Sequence, residues 1–259
     1  MCVIKVTNAS YDRYEELIMR REELKKECLF WSNEYTRVFG ELVVAVFKEK
    51  LLCAKKKKAI EYCQASLNKV QRIDTETLQN FVNDETRKLQ DNLKDLKFKY
   101  EKSQNWEVMT GADFAKLKKL FYKIAKLIHP DINPEVKHSE ELQNLWNLAA
   151  LNYQQGKLKE LEEIELLVGK ALKKLDGDVI DVSIPDIDDR IKALESEITE
   201  ILTTNPYMYR ILLSDPDLVE QKKEQMRQEL KSYKDHGIQL DKILMDYLPE
   251  GELIRWSTT

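Results

Sequence analysis

KLKKLFYKIAKLI, residues Lys116 to Ile128, runs directly into His129-Pro130-Asp131, and this junction decides how the chain is read. Phe114, Leu117, Leu120, Phe121, Ile124, Ala125 and Ile128 recur at the helical period and trace one apolar face. Lys116, Lys118, Lys119, Lys123 and Lys126 fall outside that face, with only Asp113 opposing them at its start. Charges gathered along one helix make a local field that an acidic surface can read. Pro130 cannot continue the helix and biases His129 away from helical geometry. The expectation is a basic helix stopped by proline, with an imidazole and a carboxylate turned outward at its end. A turn-rich loop, HPDINP, then leads to a further helix that starts near Ser139. Glu140 and Glu141 in its first turn complement the helix dipole. Leu142, Leu145, Trp146, Ala149, Leu151 and Tyr153 form its packing surface, and Gly156 ends it.

Helical patterns flank this centre on both sides. From Tyr11 to Val38, apolar residues fall at Leu17, Leu24, Cys28, Trp31, Tyr35 and Val38; with Arg21 in one polar slot the spacing alternates 4-3, a coiled-coil seam. Gly40 permits a break, and a second helix is expected over 41–70, with Val43, Val46, Phe47, Leu51, Ala54 and Ile60 on one face. The run Lys55 to Lys58 circles that helix, so most of it must be solvated. Asp74-Thr75 offers an N-cap for a third helix reaching about Lys102, striped by Leu78, Val82, Leu89, Leu93, Leu96 and Tyr100. DGDVIDVSIPD, residues 176–186, reads as an extended linker. Beyond it Ile187, Ile191, Leu194, Ile198 and Ile201 repeat the 4-3 seam. Asn205-Pro206 ends that helix and Asp215-Pro216 opens its partner, with proline in the tolerated first turn. Gly237 is expected to stop the returning helix.

Composition agrees with this pattern. Apolar residues make up 42% of 259 and charged residues 34%, with only 7 Gly and 6 Pro, a balance that favours long solvated helices over sheets. The net charge of −4 gives no global attraction to nucleic acid or membrane. No window reaches the roughly 20 apolar residues needed to span a bilayer, and the N-terminus lacks an apolar run of signal-peptide length. A soluble, cytoplasmic protein is expected. The four cysteines show no CxxC pairing and no histidine at zinc-ligand spacing, so no metal is expected and they read as reduced thiols. No phosphate-cradling glycine loop and no nucleophile beside a base appear; no cofactor and no catalytic residue is assigned, and an enzyme is not expected.

The helix, HPD loop, helix unit resembles the J domain of the DnaJ family of co-chaperones. Phe121-Tyr122-Lys123-Ile124-Ala125-Lys126-Leu127-Ile128 carries the aromatic, basic, aliphatic and alanine pattern that precedes HPD in that family, and Trp146 and Tyr153 match its aromatics on the following helix. The resemblance covers about residues 105–168; no glycine/phenylalanine-rich linker or CxxCxGxG repeat follows. It implies that His129, Pro130 and Asp131 are the functional triplet, and that Lys118, Lys119, Lys123 and Lys126 are the electrostatic contacts to a DnaK-type chaperone ATPase whose hydrolysis the module stimulates. The expected fold is all-α. Residues 1–103 form a long-helix coiled-coil bundle, 104–175 a J-like domain, 176–186 a linker and 187–259 a helical hairpin. The helical arms would serve a client protein or self-association. The competing reading is a coiled-coil interaction scaffold whose J-like module is inactive.

Overall fold

The computed structural model describes residues 9–69, 73–105, 111–174 and 186–248. Within them the chain is all-α, with eight α-helices, one short 3-10 helix and no strand. In chain order these are α1 (Ala9–Asn68), α2 (Thr75–Gln104), α3 (Gly111–Ile128), α4 (Glu140–Gln155), α5 (Leu158–Lys174), α6 (Ile187–Thr203), α7 (Tyr209–Ser214) and α8 (Pro216–Met245); the 3-10 helix, Pro134–His138, sits between α3 and α4. Apart from Asp186, the stretch read as a linker lies outside the described residues, as do residues 106–110 at the start of the J-like segment.

The caps read from sequence are in place. Asp74 accepts from the Thr77 amide at 2.8 Å to start α2, and Ser139 Oγ accepts from the Leu142 amide at 3.3 Å to start α4. Gly156 closes α4 in the left-handed conformation, φ 74°, which glycine adopts at least cost. Asp215 caps α8 through the amides of Asp217 and Leu218, with Pro216 in the first turn.

Two expected helix breaks are absent. α1 runs unbroken through Gly40, and α8 runs through Gly237. Each glycine instead admits a close neighbour: a Cβ on Gly40 would collide with Cδ2 of the Tyr100 ring, and one on Gly237 would sit 3.4 Å from Lys56 Nζ. A mid-helix glycine costs about 1 kcal/mol relative to alanine, a price outweighed when the space is needed for packing.

The helices gather into two compact units, Met1–Ser32 with Glu107–Tyr209, and Asn33–Trp106 with Arg210–Thr259. These divide the segments read from sequence, since both residues 1–103 and residues 187–259 are shared between units. In the first unit, the α3 stripe (Leu117, Phe121, Ile124, Ala125, Ile128) meets Leu142, Trp146, Ala149 and Tyr153 of α4 and Leu161, Ile164, Val168 and Ala171 of α5. Phe121 stacks on Tyr153 with centroids 4.0 Å apart. The same core takes in Tyr14, Leu17, Ile18, Met19 and Leu24 from α1, and Leu194 and Ile198 from α6. Leu17 and Leu24 of the first 4-3 seam, and Leu194 and Ile198 of the second, thus find their apolar cover inside this unit. Phe114 and Leu151, expected in the packing faces, are instead 40% and 48% exposed.

In the second unit, Ala59 and Cys63 of α1 pack with Leu78 and Val82 of α2 and with Leu244 and Leu248. The lysine run is not the solvated ring expected. Lys55 is buried, Lys56 pairs with Asp241 at 2.6 Å and donates to the Gly237 carbonyl, and Lys58 pairs with Glu61 and Glu85. Cys28, Cys53 and Cys63 are free thiols, each raised by burial above the usual range.

Candidate docking turn and its cover

α3 stops where the sequence says it must. The His129 amide still donates to the Ala125 carbonyl at 2.9 Å, after which Pro130 has no N–H to offer. The chain then folds tightly over His129, whose carbonyl accepts from the amides of Ile132 at 3.1 Å and Asn133 at 2.7 Å. Asn133 reaches back to cap the helix, its side-chain amide donating to the Lys126 carbonyl at 2.9 Å.

The orientation of His129 overturns the sequence expectation. Its imidazole is turned inward and is only 2% exposed, against Trp146 with ring centroids 4.3 Å apart. Nδ1 accepts from the Asp131 amide at 3.0 Å, so the ring is neutral and carries its proton on Nε2. Burial pushes its pKa down to about 4; Asp131 and Glu22 pull the other way but do not offset the lost solvation. His129 therefore braces the turn from within. The outward group is the Asp131 carboxylate, on a side chain 35% exposed and 3.9 Å from Lys137.

A second cation, a guanidinium, reaches Asp131 from α1. Arg21 Nη2 lies 3.5 Å from Asp131 Oδ2, Nη1 lies 3.5 Å from Glu197 of α6, and Nε donates to Glu22 at 3.0 Å. The Arg21 side chain is 14% exposed. Burial works against its charge, but Glu22, Glu197 and Asp131 outweigh this and hold its pKa above the ordinary arginine value. Tyr11 of α1 also donates to the Ile132 carbonyl at 3.4 Å. The turn is thus covered by the beginning of α1, more than a hundred residues earlier in sequence.

The lysines divide between two sides of α3. Lys118 is turned toward α1, where it and the Tyr122 hydroxyl share the Glu23 carboxylate. Lys126 pairs with Glu15 of α1 at 2.6 Å, and Lys123 pairs with Glu165 of α5. Lys126 meeting Glu15 while Lys118 meets Glu23 sets α1 and α3 antiparallel. Lys119, Lys123 and Lys126 are exposed, and with Leu120, Tyr122 and Glu165 they line an open cleft.

Sequence reasoning named the triplet and the lysines but missed Arg21, Glu22, Glu23, Glu15 and Glu197. A signal for Arg21 was present, because a charged residue occupied a seam slot between Leu17 and Leu24. Among the described residues no three His, Cys, Asp or Glu side chains gather as a metal site, and no helix is long and apolar enough to cross a membrane. No model of a known protein family, no curated protein and no solved structure matches the chain.

Proposed function

We propose that the α3, HPD turn and α4 unit is a J-type docking module that binds a DnaK-type chaperone ATPase and stimulates its ATP hydrolysis, without chemistry of its own. One observation carries this reading. Lys119, Lys123 and Lys126 lie exposed along α3, and the helix ends at a turn whose Asp131 carboxylate is partly open to solvent. A positive stripe closed by one negative group suits an acidic surface and fixes the direction in which it is read. The lysines speed encounter, and the turn then favours the partner's hydrolysis-competent state through contacts made only in that state. His129 serves by holding Pro130 and Asp131 in place.

The test is single-turnover ATP hydrolysis by purified DnaK with the wild-type chain, Asp131→Asn and His129→Gln. The reading expects stimulation by the wild type and its loss in both variants. Equal rates for the three chains, or no stimulation at all, remove it. The scaffold reading, with an inactive module, is favoured by the inward imidazole and the α1 cover; it expects Asp131→Asn to change nothing. Replacing Leu194 or Ile198 does not separate the two, because both side chains belong to the core of the same unit.

A further inference from the structure

We infer that Arg21 is an intramolecular competitor for Asp131: it occupies the cation seat at the end of the lysine stripe, so a docking partner that uses this carboxylate must displace it. The inference rests on the co-chaperone reading and adds a built-in restraint to it.

A charged residue is costly at this position. Arg21 stands in a slot of the Leu17, Leu24, Cys28 seam where an apolar side chain would bury without penalty, and its side chain is only 14% exposed. A charge placed there must be matched by carboxylates, since a lone buried ion costs several kcal/mol. Three carboxylates converge on it, from α1 itself, from α6 and from the HPD turn. The contacts are unequal. Nε to Glu22 at 3.0 Å is a normal hydrogen bond, whereas Nη2 to Asp131 and Nη1 to Glu197, each 3.5 Å, are at the outer limit of one.

This inequality makes the seat exchangeable. If Asp131 turns to another cation, Arg21 keeps Glu22 and Glu197, so no buried charge is stranded. α1 need not move, because Ile18 and Leu24, both fully buried, hold it on the unit independently of the guanidinium. The surface that fits has carboxylates for Lys119, Lys123 and Lys126 and one guanidinium or ammonium for Asp131. Glu197 has the opposite influence from Arg21: it draws the guanidinium away from Asp131, and losing it tightens the restraint.

The experiment uses the full chain and measures its affinity for ATP-bound DnaK and the single-turnover hydrolysis rate. Variants are Arg21→Gln, Asp131→Asn, the double variant and Glu197→Gln. Partly exposed charge pairs set the expected scale at roughly three- to five-fold. Arg21→Gln should bind tighter by that factor, Glu197→Gln should bind more weakly, and the double variant should show none of the Arg21→Gln gain. If Arg21→Gln binds no tighter while Asp131→Asn still abolishes the wild-type response, the competitor role is wrong and the docking module stands. If the gain persists in the double variant, the seat is not at Asp131 and the inference fails. If no chain, Arg21→Gln included, binds or stimulates, both fall. Should Arg21→Gln lose its cooperative thermal transition, Glu197→Gln, on a side chain 43% exposed, decides alone by the sign of its effect.

Discussion

The two sides of α3 carry the same residue type in different circumstances. Toward α1, Lys118 and Tyr122 converge on Glu23, whose side chain is only 15% exposed. On the outer side, Lys123 and Lys126 are 66% and 59% exposed; Lys123 pairs with Glu165 of α5, and Lys126 reaches back to Glu15 of α1. The inner charges must be matched, because an unpaired ion beside a core is costly. The outer ammonium groups sit in solvent, although Glu165 and Glu15 are only 27% and 20% exposed, so each pair contributes about 1 kcal/mol and a partner's carboxylates can compete for the lysines. One helix thus serves as a core element on one side and a readily exchanged charged surface on the other. The turn repeats the division within three residues, His129 facing in and Asp131 facing partly out.

The largest effect is expected at the start of α1, which the structure builds into the core. Ile18 is fully buried among residues of the first unit, so Ile18→Ala should cost about 2–5 kcal/mol in urea unfolding. Lys119→Ala on the exposed side should stay within about 0.5 kcal/mol. Comparable costs for the two would show that α1 is laid on the unit rather than built into it.

His129 gives the next largest effect, and its sign follows from linkage. The folded pKa is depressed to about 4 from an ordinary 6.5. The unfolded chain therefore binds the extra proton first, and the contribution is present above pH 6.5 and lost as pH falls toward 4. Over that window the wild type should lose on the order of 3 kcal/mol more than His129→Asn, which keeps an acceptor for the Asp131 amide but cannot charge. Urea midpoints at pH 7 and pH 4.5 measure the difference. Equal acid slopes would mean that the imidazole is solvated, and with it the inner and outer division of the turn would fail.

Why the helix end was legible and the facing of its residues was not has a physical basis. Pro130 acts locally, through a missing N–H and a fixed φ, so the stop at Ile128 follows from sequence alone. The caps at Asp74, Ser139, Gly156 and Asp215 are equally local, and the apolar stripes state which face is buried. What buries it is a long-range fact. His129 turns inward because Trp146 supplies a ring and α1 supplies a cover, and neither partner lies within a dozen residues. Gly40 and Gly237 misled for the same reason, since a glycine's local meaning is a break but its meaning here lies with Tyr100 and Lys56. The six-residue α7 gave no readable period. Arg21 was visible as an interruption of a seam, yet a single sequence cannot name the carboxylates that justify it.

Replacing Lys119, Lys123 and Lys126 together by alanine tests the outer side of α3. Stability should hardly change, while the proposed docking module should associate with DnaK about ten-fold more slowly at low salt, and much less so at high salt. Stopped-flow association at two ionic strengths separates this from a loss of folding. A salt-independent drop would indicate that the stripe acts by contact rather than by its field.

The smallest effect comes from a lysine placed on the inner side. Lys26 of α1 donates to the Tyr153 carbonyl at 2.6 Å and lies 4.8 Å from the centroid of that ring. Burial lowers its pKa to about 8 from 10.5, so the folded state gives up the proton before the unfolded state does. Stability should therefore rise with pH from about 8 toward 10.5, as the cost of a desolvated ammonium is relieved. The side chain is only partly buried, so solvent screening makes the rise smaller than the same shift gives at His129. In Lys26→Met this shallow rise should vanish, and the clean interval is pH 7.5 to 9.5. Above it the Tyr122 and Tyr153 phenols, both pushed up by burial, oppose the trend because the unfolded chain ionises them first. A rise of equal size in Lys26→Met would place the ammonium in solvent, as on the outer face of α3, and the distinction between matched and solvated lysines would lose its inner member.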